Sequence, residues 1–205
     1  MKTGKGKIAI LLSGRGSNFE AIYKSSLKTD STFEIAIVVS DKKKAKGLAT
    51  ARNLKIPSIY VKPRDYSSKA EYEKYLISIF EQYKIELICL AGFMRIISSV
   101  LIKKFPNRII NIHPSLLPDF PGIDAQKQAL EAGKKISGCT VHFVDEGVDS
   151  GPIIMQSGVN IDKNDTVESL RSKILKEEHN IYSKVINLFF QNKLKIGDRR
   201  VKILT

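Results

Sequence analysis

The 205-residue chain contains no tryptophan, two cysteines, three histidines and no apolar run near the ~18 residues a membrane-spanning helix needs. Cys89 and Cys139 both stand in strand-like apolar runs, where a free thiol behaves as a small hydrophobe. That excludes a disulfide framework and fits a reducing, cytoplasmic setting. The basic start, residues 1–7, is followed by five apolar residues, 8–12, and then Arg15, too short a stretch for the ~7–15 of an export signal. There is no internal repeat and no low-complexity segment. With 42% hydrophobic and 27% charged residues the chain is neither disordered nor collagen-like, and at roughly one domain per ~150 residues a single domain over residues 1–205 is expected.

Acidic residues are scarce: 21 against 34 basic ones, a net charge of +13. The basic residues are mostly lysine and, apart from Lys42-Lys43-Lys44 with Lys46, spread along the chain without interleaved aromatics. A nucleic-acid reader concentrates arginine and aromatics on one face, so a solvated lysine surface is expected and no nucleic-acid partner. Attraction of a phosphorylated small substrate remains open.

Apolar runs of four to eight residues alternate with longer stretches of helical period, the pattern of an α/β fold with a doubly wound, mostly parallel sheet and flanking helices. Strands are predicted over 7–12, 33–39, 58–61, 87–91, 109–112, 138–144 and 153–159. Helices are predicted over 18–27, 45–54, 67–83, 98–105, 124–132 and 166–192. The last opens on a capped Thr166-Val167-Glu168-Ser169, and its apolar Val167, Leu170, Ile174, Ile181, Val185 and Leu188 should pack along the sheet. After residue 109 the helices thin out and prolines gather in loops, which suggests a phosphate-binding first half and a more specialised second half. The tail, 193–205, is read as a short edge strand.

Three segments carry candidate chemistry. Ser13-Gly14-Arg15-Gly16-Ser17-Asn18 joins the first strand to the first helix; it lacks the third glycine of a dinucleotide fingerprint and the Gly-Lys-Ser/Thr of a P-loop. It is either a tight turn with a Ser or Asn cap or a monophosphate site on a helix start. Asn111 and His113 stand two apart at the C-terminal end of a strand, so both side chains leave one face. An amide and an imidazole there suit oxyanion stabilisation and proton transfer; a satisfied structural histidine is the alternative. The loop from Asp145 to Pro152 is either a solvated acidic turn or carries a carboxylate turned inward to orient His113. Ser115 lacks a nucleophile elbow and Glu177-Glu178-His179 lacks zincin spacing, so no metal is expected.

Taken in order, Ser-Gly-x-Gly-Ser-Asn at 13–18, Leu-Ala-Gly-Phe-Met-Arg-Ile at 90–96, Asn-Ile-His-Pro-Ser-Leu-Leu-Pro at 111–118, Pro-Gly at 121–122 and Val-His-Phe-Val with Asp-x-Gly-Pro at 141–152 resemble the phosphoribosylglycinamide formyltransferase family over nearly the whole chain. The resemblance implies a Rossmann-like fold and transfer of a formyl group from 10-formyltetrahydrofolate, a co-substrate, to the amine of glycinamide ribonucleotide in purine synthesis, without metal. It implies phosphate contacts at Gly16, Ser17 and Asn18, and a ribose held by Glu178 with Leu175, Lys176 and Glu177. Folate would lie against Met94, Arg95, Ile96 and Ile97, Asn111, and the loop Asp145, Glu146, Gly147, Val148 and Asp149. Asn111, His113 and Asp149 would be catalytic, Asp149 raising the pKa of His113 and a neighbouring water relaying the amine proton. Thr140 and His142 would line the region behind them.

Two positions depart from the family's pattern. Lys69 stands where some members carry an arginine, a point charge in place of a bidentate fork for the folate glutamate. Ile123-Asp124-Ala125-Gln126 replaces a His-rich stretch, and nothing catalytic is assigned there. The implied partners are the two small molecules, with no nucleic acid and no membrane, the oligomeric state being left open. Three rival readings are a 10-formyltetrahydrofolate hydrolase, normally with a regulatory domain ahead of it, a methionyl-tRNA formyltransferase, normally with an RNA-binding domain behind it, and a non-catalytic nucleotide-binding module.

Overall fold

Strand β1 (Gly6–Leu12) is apolar from Ile8 onward, and all five of those side chains are fully buried, as a strand covered on both faces requires. In the computed structural model, which describes residues 4–197 and 199–204, β1 pairs in parallel with β2 (Phe33–Ser40) and with β4 (Leu87–Leu90). Beyond β2 lies the short parallel β3 (Ser58–Tyr60). With β5 (Ile109–His113), β6 (Ile136–Phe143) and β7 (Ile153–Asn160), these form a seven-stranded sheet in the order β3-β2-β1-β4-β5-β6-β7. β7 runs antiparallel to β6, so the sheet is mostly parallel, as expected. No helix among the described residues is long and apolar enough to cross a membrane.

Two compact units divide the chain, one ending at Ile110 and the other beginning at Asn111, within β5. In the first unit, helices α1 (Ser17–Ser26), α2 (Lys46–Asn53), α3 (Lys69–Gln82) and α4 (Ser99–Lys104) connect the strands. Phe19 and Ile22 of α1, Leu48 and Ala51 of α2, and Leu76 and Phe80 of α3 are buried, each large side chain contributing about 1.5–3 kcal/mol. The third helix begins two residues later than predicted because Ser68 caps it, its hydroxyl accepting from the Glu71 N–H.

Glu73 of α3 is buried yet fully employed. Its carboxylate accepts from the Ser98 N–H at 2.8 Å, from the Ser98 hydroxyl and from the Leu101 N–H at 3.3 Å, so it caps α4 from a neighbouring helix. Glu73→Ala orphans these donors and should cost about 2–4 kcal/mol, read as a lower denaturant midpoint, whereas Glu73→Gln should recover part of the loss. Equal stability of Glu73→Ala and the parent would refute this role.

The second unit contains α5 (Ala125–Glu131) and the 24-residue α6 (Val167–Phe190). Thr166 and Ser169 form a reciprocal capping box, and Lys173 pairs with Asp162 and Asp165. Leu170, Ile174, Ile181 and Val185 are buried against β6 and β7 as the periodicity predicted, while Val167 and Leu188 at the two ends are only half-buried. The tail departs from expectation. In place of one edge strand it forms a hairpin of β8 (Leu194–Ile196) and β9 (Val201–Ile203), turned near Gly197, whose N–H bonds to the Arg200 carbonyl. Residues 1–3 of the basic start, and Asp198 and Thr205 of the tail, lie outside the described residues.

Candidate active site

The glycine-rich turn after β1 is fixed by its neighbours in the first unit. The Ser13 N–H donates to the Gly92 carbonyl, the Ser13 hydroxyl accepts from the Met94 N–H at 2.9 Å, and the Gly47 N–H donates to the Gly14 carbonyl. Gly16 occupies the cap position of α1 at φ +84°, with no side-chain hydrogen bond to the helix start. The alternative of a Ser or Asn cap is therefore not realised: Ser17 and Asn18 already belong to the helix. An α-helix start so built presents first-turn amides and the positive end of the helix dipole to an anion.

Residues 92–98, between β4 and α4, are irregular. Met94 and Ile96 are exposed to 71% and 63%, while Ile97 is buried in the core, leaving only its backbone for a ligand. The Arg95 guanidinium lies over the Tyr72 ring, 5.4 Å from its centre. Lys69, exposed, opens α3 directly after its serine cap.

In the second unit the pleat of β5 sends Asn111 and His113 toward the same carboxylate, that of Asp149. Asp149, at φ +51°, turns inward from its loop. His113 Nδ1 lies 3.2 Å from its Oδ2, which also accepts from the Gly122 N–H at 2.8 Å. Asn111 Nδ2 lies 3.3 Å from its Oδ1 and also 3.3 Å from His142 Nε2. His142 Nδ1 is 2.8 Å from the Phe143 carbonyl, so a neutral His142 donates there and accepts from Asn111 at Nε2. The two amide hydrogens of Asn111 are thus shared between Asp149 and His142.

Both nitrogens of His113 face acceptors: Asp149 at Nδ1 and the Phe120 carbonyl, 2.8 Å away, at Nε2. Only the doubly protonated ring satisfies both. Burial nevertheless dominates and holds the His113 pKa below its ordinary 6.5, although Asp149 and the Phe120 carbonyl push it up. Asp149 thus raises this pKa as expected, and the net shift is still downward because desolvation outweighs the carboxylate. Burial likewise pushes the Asp149 carboxyl up, but its contact with His142, the hydrogen bond from the Gly122 N–H and the charge of His113 hold it below 3.8.

The other expected residues separate into groups. Thr140 does not join the cluster: its hydroxyl donates to the Ser115 carbonyl at 2.7 Å and accepts from the Leu117 N–H and Gln156 Nε2, tying down the segment after His113. Asp145 folds onto its own loop, accepting from the Gly147 N–H and the Ser150 hydroxyl, and Glu146, Gly147 and Val148 are exposed. On α6, Glu177 accepts from the Ser157 hydroxyl at 2.7 Å, Glu178 is buried, Leu175 is half-buried and Lys176 is exposed. Burial, with Glu178 and Glu177 nearby, pushes the Cys139 thiol up to about 12, so it is no nucleophile. Sequence reasoning missed the backbone contributions of Phe120 and Gly122; the only trace of them is the Pro121-Gly122 pair beside a positive-φ Phe120. No group of three or more metal-ligating side chains occurs among the described residues.

Comparison with known proteins gives this geometry a context. Phosphoribosylglycinamide formyltransferase of Bacillus subtilis is 47% identical over 180 residues, covering 88% of this chain and 92% of that protein. The trifunctional purine biosynthetic protein adenosine-3 of Gallus gallus is 42% identical over 97% of this chain, which spans only 20% of that longer protein. The crystal structure of glycinamide ribonucleotide transformylase 1 from Symbiobacterium toebii superimposes with a TM-score of 0.97 at 45% identity, over 100% of this chain and 96% of that one. With residues 6–186 matching the formyl transferase family, the chain belongs to that family and is a formyltransferase.

Proposed function

We propose that the protein transfers the formyl group of 10-formyltetrahydrofolate to the glycinamide amine of 5'-phosphoribosylglycinamide, a step of purine synthesis in the cytoplasm. The observation that carries this reading is the inward-turned Asp149, holding Asn111 and His113 of one strand face on a single carboxylate. Relatives of the same length and high identity bear the name of this activity.

In this reading the substrate phosphate is held at Gly16, Ser17 and Asn18 and the ribose by Glu178, with Leu175, Lys176 and Glu177 beside it. The folate lies against Met94, Arg95, Ile96 and Ile97, with Lys69 toward its glutamate, and against Asp145, Glu146, Gly147 and Val148. Met94 and Ile96 of the first unit expose apolar surface suited to a flat heterocycle. Irregular backbone beside them offers hydrogen bonds.

Attack of a neutral amine on the formamide carbon places negative charge on oxygen and positive charge on nitrogen. Asn111 answers the first by redirecting one of its N–H groups from Asp149 or His142 to the oxygen, a contact of about 3 kcal/mol where such donors are measured. His113 donates its proton to the departing folate nitrogen, and the proton shed by the attacking amine passes through a water beside Asp149 back to the imidazole, which ends the cycle protonated as it began. Its lowered pKa makes it a stronger acid than free imidazole, while Asp149 and the Phe120 carbonyl keep a proton bound long enough to be used. Holding two substrates together supplies further acceleration through lost translational freedom.

The test is formyl release from 10-formyltetrahydrofolate with and without glycinamide ribonucleotide. Turnover only with the ribonucleotide is expected. Equal formate release without it identifies a hydrolase, and formylation of charged initiator tRNA identifies a methionyl-tRNA formyltransferase.

A further inference from the structure

The glycine turn and the start of α2 are one structural body. A Cβ placed on Gly16 would lie 2.8 Å from Gly47 Cα, and the Gly47 N–H donates to the Gly14 carbonyl. The loop ahead of Gly47 carries the only dense run of cations in the sequence, Lys42, Lys43, Lys44 and Lys46, and Arg15 stands inside the glycine turn itself. All five side chains are exposed, and none makes an ion pair among the described residues.

Nearby acids do not cancel them. Asp41 is buried beneath the loop, and Glu20, in the first turn of α1, accepts from the Thr50 hydroxyl. The loop is also held in shape. Ser40 and Lys42 exchange hydrogen bonds between the serine hydroxyl and the lysine backbone, and the Ala45 N–H donates to the Lys42 carbonyl. No side chain caps α2, whose first turn contains no acid. A fixed loop of unpaired cations joined to an anion-accepting helix start raises the local concentration of a dianion and speeds its capture.

We propose that Lys42, Lys43, Lys44 and Lys46, with Arg15, form a recruiting surface for the phosphate-bearing substrate, acting on its capture and not on the chemical step. This rests on the assignment of the phosphate to Gly16, Ser17 and Asn18. The surface selects phosphorylated over dephosphorylated substrate and leaves the folate unaffected. The large positive charge of the chain then serves a directed purpose at one place, while the remaining lysines are a solvated coat.

The experiment compares the parent with Lys42→Gln/Lys43→Gln/Lys44→Gln and with a control that removes as many exposed cations elsewhere, Lys84→Gln/Lys103→Gln/Arg108→Gln. At low ionic strength the first variant should raise KM for the ribonucleotide about three- to ten-fold with kcat and the folate KM unchanged, and should flatten the salt dependence of kcat/KM. The control should leave all of these as in the parent. Equal effects in both variants would reduce the result to net charge and overturn the proposal. So would an unchanged ribonucleotide KM, or a rise in the folate KM instead. Calorimetric titration of the ribonucleotide alone, at two salt concentrations, separates the two readings. A parent that binds it in a lysine- and salt-dependent way but does not turn it over sinks the assigned reaction and keeps the recruiting surface.

Discussion

Asp149→Asn should lower turnover by about 100-fold or more while changing either substrate's KM by no more than a few-fold. The carboxylate accepts at both oxygens, from His113 and the Gly122 N–H on one side and from Asn111 on the other. An amide has one acceptor and must aim an NH2 group at donors on the other side. Turning that NH2 toward neutral His142 Nε2 preserves a bond and the packing, but Asn111 then loses its partner and the negative charge is gone. His113, whose pKa burial already lowers, loses its main opposing influence and moves further down. The pH at which rate falls on the alkaline side should therefore shift to lower values, read between about pH 5 and 9.

The stability of the parent carries a matching signature. A carboxyl held below 3.8 in the folded state contributes stability that is present above that value and lost as pH falls through the lower folded pKa. The parent's advantage over Asp149→Asn should shrink on acidification in that window. Near-normal turnover of Asp149→Asn, or a loss confined to folate KM, would make Asp149 a loop-shaping residue only.

Gly16→Val should fail through folding before binding. The position has φ +84°, outside the range of a β-branched residue, and its missing Cβ faces Gly47 backbone at 2.8 Å. Gly47 is equally intolerant of a side chain, since a Cβ on it would itself meet Leu12 at 2.5 Å in the core. Strain of both kinds should cost about 3 kcal/mol or more, a drop in Tm of roughly 10 °C for a chain of this size. A Tm equal to that of the parent would refute the close approach of α1 and α2. Because the whole turn is affected, Ser17→Ala is the cleaner probe of phosphate contact.

How much of this was legible in the sequence follows from the range of the interactions. Strands such as β1 and β4 were readable because continuous apolar runs bounded by turn residues have few alternatives, and α6 because its apolar spacing and Thr166 cap agree. Asn111 and His113 were readable as a pair from the pleat alone. The convergence of Asp149 on them was open until the loop path fixed it, since an acid in a Gly-rich loop is equally at home in solvent, as Asp145 illustrates. The sign of the His113 shift was hidden because burial is a property of the assembled unit and leaves no mark on residue spacing. Backbone donors and acceptors, such as Gly122 and Phe120, carry no residue code at all. The family resemblance supplied the activity, and the residue reading independently supplied an anion-binding turn and an acid-base pair.

The terminal hairpin has a consequence for life in a crowded solution. β7 is the last strand of the sheet, and at eight residues it is much longer than β3 at the opposite edge. Beside its first residue, Ile153, stands Arg200, and the Ile153 N–H is taken by the Arg199 carbonyl. The C-terminal half of the edge holds Gln156, Ser157, Gly158 and Asn160 with Val159, and the hairpin next to its start carries Lys195 and Lys202. A border that is partly bridged and flanked by like charges is a poor template for a strand from another molecule. The tail thereby guards the sheet against edge-to-edge aggregation.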